Sequence, residues 1–144
     1  MNAAYTLGMV FARFHRITII HSQVSNRSDI NERLRWFGAS LGLFGERDRD
    51  SSCFRVFIEL LKSSRANKPI SSTELAYRTG LSRGTIVHHL NTLMEAGIVV
   101  ADANRYALRV GNLELLVDEI KKDTDRAFSD LRLRAKELDE ELGL

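Results

Sequence analysis

At 144 residues the chain suits one domain with extensions. Hydrophobic residues make up 44% and there is a single proline, which excludes collagen-like, low-complexity and wholly disordered chains and leaves room for long helices. The net charge of +2 is unevenly spread: residues 1–111 carry 15 basic against 9 acidic side chains, and residues 112–144 carry 6 against 10, a pattern that fits a nucleic-acid binder whose last helix faces away from phosphate.

The first twenty residues are apolar but are interrupted by Arg13, His15 and Arg16. No uninterrupted run approaches the roughly 20 residues of a membrane span, and a secretory signal carries its positive charge before the apolar core. A cytoplasmic protein without a membrane partner is therefore expected, with residues 1–27 as an N-terminal arm, flexible or loosely packed. Domain 28–50 is then an amphipathic helix and a linker. Ser28 to Phe44 reads as helix, capped by Asp29 with Glu32 three residues on. Ile30, Leu34, Phe37 and Leu41 recur at helical spacing, Trp36, Leu43 and Phe44 widen that face, and Gly45 is the expected stop. Residues 45–51 form a charged linker.

The next helix, about Ser52 to Lys62, is apolar nearly all round, as in a core helix. Its Cys53, the one cysteine of the chain, has no internal disulfide partner and reads as a buried thiol in a reducing compartment. Pro69-Ile70-Ser71 suits a brief extended segment. Ser71 to Glu74 then opens a two-turn helix with a capping box, Leu75 and Ala76 point inward, and Gly80 ends it. Leu81 plugs the turn. Ser82 caps a second helix, 82–96, with Ile86, Leu90 and Leu93 on its core face and Gly97 as its stop. Ile98 to Ala101, a turn at Asp102-Ala103-Asn104, and Arg105 to Arg109 read as a hairpin. The fold class is mainly α with a small β-hairpin: a winged helix-turn-helix over 51–111, its recognition helix at 82–96 and its wing at 98–109.

Gly111-Asn112 caps a last helix over 112–144. Leu113, Val117, Ile120, Thr124, Ala127, Leu131 and Leu138 follow a 4–3 alternation interrupted at Arg134, and Leu116, Phe128, Ala135 and Leu142 flank it. Such a seam belongs to a coiled-coil helix that forms a homodimer, with the N-terminal helix as a second candidate surface; the alternative is a long helix folded back on its own domain.

A helix of this size fits the DNA major groove. On 82–96, Arg83, Val87 and Asn91 share one stripe, with Ser82, Thr85 and His89 beside it and His88 near, and no acidic residue stands before Glu95. Arg83 suits guanine O6 and N7. Ser82 and Thr85 suit phosphate, or in the case of Ser82 plain capping. Val87 suits a thymine methyl or the core, Asn91 adenine or water. His88 suits phosphate or base, and His89 the same or the protein's own backbone. In the wing, Asn104 and Arg105 can reach backbone phosphate or a minor groove. Adjacent histidines diverge on a helix and chelate one ion poorly, so no metal site and no cofactor are expected. No nucleophile–base pair, phosphate loop or ligand cluster points to an enzyme.

The segments Glu74-Leu75-Ala76, Gly80-Leu81-Ser82, Thr85 to Leu90 and Leu93 to Val99 resemble the winged-helix domains of bacterial and archaeal transcription regulators, the ArsR-like group in particular, over about residues 52–110. The resemblance implies homodimeric binding to palindromic double-stranded DNA, with Ser82, Arg83, Val87, His88 and Asn91 at positions that meet it. The chain departs from the group in lacking the metal sensors' cysteine pair before the recognition helix, and in its added N- and C-terminal helices. The competing expectation is a winged helix used as a protein–protein interaction module, which the apolar Trp36/Phe37/Phe44 face would serve.

Overall fold

The computed structural model describes residues 16–23, 29–45 and 51–144. Ser28, the rest of the 1–27 arm and linker residues 46–50 lie outside the described residues.

Helix α1 (Ile30–Ser40) starts as its cap dictates: Asp29 Oδ1 accepts from the Glu32 amide at 2.8 Å. It ends earlier than the apolar pattern predicts. Gly42, not Gly45, supplies the left-handed residue (φ 71°), so that Leu43 N donates to Gly38 O at 3.0 Å and Gly42 N to Ala39 O at 2.9 Å, a Schellman closure. The closure turns Leu43 into the core. It also lays Phe44 over Gly38, where an added Cβ would meet the ring at 1.8 Å. Phe44 then sits edge-on to Phe54 and Phe57, with ring centroids 5.5 and 5.7 Å away. Ile30, at the other end of α1, stays exposed. Residues 16–23 run across two helix ends, Arg16 N donating to Glu95 O at 3.1 Å and Ile20 N to Ser40 O at 2.7 Å.

Helix α2 (Ser52–Arg65) runs three residues past the expected Lys62 and is the core helix: Cys53, Phe54, Val56, Phe57 and Leu60 are buried. Strand β1 (Ile70–Ser71) leads into α3 (Ser72–Thr79), where Ser71 Oγ accepts from the Glu74 amide at 3.1 Å. Gly80 (φ 70°) turns the chain into α4 (Arg83–Glu95), capped by Ser82. Gly97 ends α4 with a second Schellman closure, Ile98 N to Leu93 O at 3.0 Å.

Strands β2 (Val99–Asp102) and β3 (Arg105–Leu108) form the hairpin on a two-residue turn, Ala103-Asn104, both residues at positive φ as a primed turn requires. Asp102 belongs to β2, paired with Arg105, and not to the turn. The sheet has three strands in the order β1-β3-β2, all antiparallel, because Ile70 and Ser71 pair with Tyr106 and Arg105. Helix order, hairpin and sheet make a winged helix-turn-helix with one core: Phe57, Leu60, Leu75, Ile86, Leu90, Leu93 and Ile98 have essentially no exposed surface.

Helix α5 (Leu113–Leu142) is capped by Asn112, whose Oδ1 accepts from Leu115 N at 2.8 Å. Leu116 and Ile120 are buried in that core and Leu113 packs on it. From Asp125 onward every residue of the helix is exposed. The predicted seam is therefore divided: Leu113 and Ile120 fold back on the protein's own body together with the flanking Leu116, Val117 stays 45% exposed, and the part beyond Asp125 projects from the body.

Candidate nucleic-acid interface

Helix α4 is anchored by Ile86, Leu90 and Leu93, which fixes what its other side presents. Arg83, Gly84, Val87, His88 and Asn91 all lie exposed, and at 3.6 residues per turn they form one continuous face. Val87 keeps 41% of its surface in water, which settles its orientation away from the core. The acid on this face is Glu95, at the far end of the helix.

Ser82 is the cap: its Oγ accepts from Thr85 N at 3.2 Å and lies 2.9 Å from Thr85 Oγ1. Thr85 is half-buried and turned off the exposed face. His89 is also half-buried, with Nε2 2.6 Å from Ser52 Oγ at the start of α2. The helix phase explains both placements, since residues 85 and 89 fall on the flank nearest α2. His88 and His89 diverge accordingly, with ring centroids 5.4 Å apart.

In the wing, Asn104 is exposed at the tip. Arg105 is exposed too, with Nη1 donating to Pro69 O at 3.2 Å, so the loop before β1 steadies it. Arg109, just past β3, faces α5 instead: it bonds Asp123 through Nη1 at 2.5 Å and Nη2 at 3.3 Å, with Glu119 at 3.4 Å. Its pKa is raised, first by the hydrogen bond to Asp123, against the desolvation that lowers it, and further by the charges of Asp123 and Glu119.

Two exposed residues near α4 escape a reading built on polar side chains. Gly84 has no side chain to attract notice, yet the nearest atom to an added Cβ is Ser82 Oγ at 4.0 Å, so its bareness serves nothing inside the protein. Tyr77 stands 89% exposed on α3, the helix that precedes the turn. Its signal was available, two residues from each of the buried Leu75 and Thr79 on a two-turn helix.

Among the described residues no helix is long and apolar enough to cross a membrane. Residues 59–100 match the family model described as bacterial regulatory protein, arsR family. The match runs from the middle of α2 through α3, the turn and α4 into β2. No curated protein and no solved structure matches the chain.

Proposed function

With residues 59–100 an ArsR-family helix-turn-helix, we propose that the chain binds double-stranded DNA sequence-specifically as a homodimeric transcription regulator, α4 entering the major groove. The observation that carries this reading is the exposed face of α4, where Arg83, Gly84, Val87, His88 and Asn91 stand clear of a core that fully occupies the opposite side. Arg83 addresses a guanine through its fork, Val87 a thymine methyl, Asn91 an adenine edge and His88 a base or phosphate. Gly84 lets the first turn of α4 come close. Ser82 presents its hydroxyl at the helix start to phosphate, and Thr85, half-buried beside it, takes part through its hydrogen bond to Ser82. His89 contributes by holding α4 against Ser52. Tyr77 reaches a phosphate from α3, which crosses the backbone in this geometry. Asn104 and Arg105 put the wing on the backbone or in the minor groove.

The test is selection of bound duplexes from a random pool, followed by binding measured over a salt series. The expected product is a palindrome whose affinity falls steeply with salt. Arg83→Ala should cost about 1–3 kcal/mol and relax preference at one position of each half-site. Arg105→Ala should weaken all sequences alike. Duplex binding indifferent to both substitutions would leave the protein–protein module as the better reading.

A further inference from the structure

The part of α5 beyond Asp125 carries its own seam. Phe128, Leu131, Ala135, Leu138 and Leu142 recur at alternating steps of three and four, all apolar, and all exposed. This stripe avoids the interruption at Arg134 that breaks the seam read along the whole helix. It begins one turn past the half-buried Thr124, on the side of the helix next to the one that Leu116 and Ile120 bury in the body. Exposure is high throughout, 65% for Phe128 and Leu131 and 69% for Leu142.

Charge along the same stretch is segregated. Arg126, Arg132, Arg134 and Lys136 come first, with Asp130 as the one acid among them, and Glu137, Asp139, Glu140 and Glu141 follow. The positions flanking the stripe are Arg132 and Asp139 on one side and Arg134 and Glu141 on the other. In a pair of helices these flanking positions decide orientation and register. Two copies running antiparallel, with Leu131 against Leu142 and Ala135 against Leu138, bring Arg132 to Asp139 and Arg134 to Glu141. The two-fold axis repeats each pair, so four charge pairs form and none is repulsive. Phe128 then lies beside Leu144 of the second copy. Slipping the partner one heptad toward the body sets Arg132 on Arg132, Arg134 on Arg134 and Asp125 on Asp139. A parallel pair matches Arg134 with Asp139 but leaves Arg132 and Glu141 without a counterpart.

We propose that the exposed half of α5 is a self-complementary surface, which pairs antiparallel with the same segment of a second copy in the Leu131–Leu142, Ala135–Leu138 register. This rests on the homodimer reading above and gives it an orientation. The axis crosses the seam between Lys136 and Glu137. At 1.5 Å per residue it holds the points where the two helices leave their bodies, near Thr124, about 38 Å apart, with a DNA-binding unit at each end.

The test uses the full chain with Leu131→Cys in one preparation and Leu142→Cys in another, Cys53 being buried in α2. The two are mixed, treated with a short bifunctional thiol reagent, and mapped by peptide mass, with molecular mass in solution measured in parallel. The expected result is a 131–142 crosslink roughly tenfold over the 131–131 and 142–142 products, since like positions lie about 16 Å apart along the axis in this register. Reversing Arg132→Asp and Arg134→Glu together should weaken the dimer roughly tenfold, and mixing with the Asp139→Arg, Glu141→Arg variant should restore it. Dominant 131–131 and 142–142 products would overturn the orientation. A dimer without any of these crosslinks would overturn the surface while leaving the homodimer standing. A monomer in solution would remove the homodimer reading itself.

Discussion

Asp123→Asn tests how the wing is joined to the long helix. Asp123 keeps 11% of its side-chain surface exposed and Arg109 keeps 24%, with two hydrogen bonds between them and Arg126 also paired to Asp123. Breaking a fully buried pair costs about 3–5 kcal/mol, and an exposed one about 0–1 kcal/mol. The intermediate burial here, with Glu119 left as a partial partner for Arg109, places the expected loss near 2 kcal/mol. In urea, with a slope of about 2 kcal/mol per molar, the midpoint should fall by about 1 M. Arg109→Met combined with Asp123→Leu should recover most of that, because the charges left behind are not stranded: Arg126 is 70% exposed and Glu119 keeps Lys122. The raised pKa of Arg109 sets the pH behaviour from the arginine side: stabilisation is complete below its unfolded-state value and is lost only as pH rises through the folded value. From about pH 6 to pH 10 this guanidinium should therefore contribute no pH dependence. A midpoint shift of less than about 0.3 M for Asp123→Asn would show that the pair behaves as a surface contact and does not fix the helix to the wing.

Gly84→Ala should raise folding stability by about 0.5–1 kcal/mol, because the new Cβ meets open space, while operator affinity falls; unchanged affinity would mean that the first turn of α4 does not approach DNA closely. Ala103→Gly should raise stability by about 1 kcal/mol by relieving an L-residue held at φ 48°, read as a thermal midpoint about 2–4 °C higher. Deleting residues 126–144 should change the stability of the body by no more than about 0.5 kcal/mol, since every residue removed is exposed, yet abolish the dimer by equilibrium sedimentation. A loss above about 2 kcal/mol would mean that this half of α5 packs on the body after all.

Four helix starts were legible because capping is local: Asp29, Ser71, Ser82 and Asn112 each accept from an amide three residues on, whereas Ser51 before α2 stands at φ 57° and makes no side-chain cap. The core faces of α2 and α4 were legible from helical spacing. The end of α1 was not. Two glycines, Gly42 and Gly45, were available, and the choice between them depends on whether Leu43 and Phe44 find a pocket against Phe54 and Phe57, which only tertiary packing reveals. The brief extended segment at Ile70-Ser71 was legible beside Pro69, but its pairing was not. Two residues carry no period of their own and become a strand only because β3 offers them an edge.

On the candidate interface, spacing defined the stripe through Arg83, Val87 and Asn91 and left the neighbours unresolved. Thr85 and His89 turn toward α2 because that helix crosses beside them, a fact of packing that no local pattern carries. Arg109 shows the same limit: its place at the end of the expected return strand invites a contact with solvent or phosphate, and its partners lie 10 and 14 residues away on α5. The long seam is the sharpest case. A three-four alternation states that a helix has an apolar side, and says nothing of what covers it. Leu116 and Ile120 are covered by their own body, and Phe128 to Leu142 are not. The change comes where the body ends and Asp123, tied to Arg109, is the last strong link. The helix direction beyond that point follows from Leu113, Leu116 and Ile120 in the core together with the wing-side ion pair, and any second copy that pairs with the exposed half is held at an angle fixed relative to α4. A loosened Arg109–Asp123 link should for that reason disturb operator spacing before it disturbs the dimer.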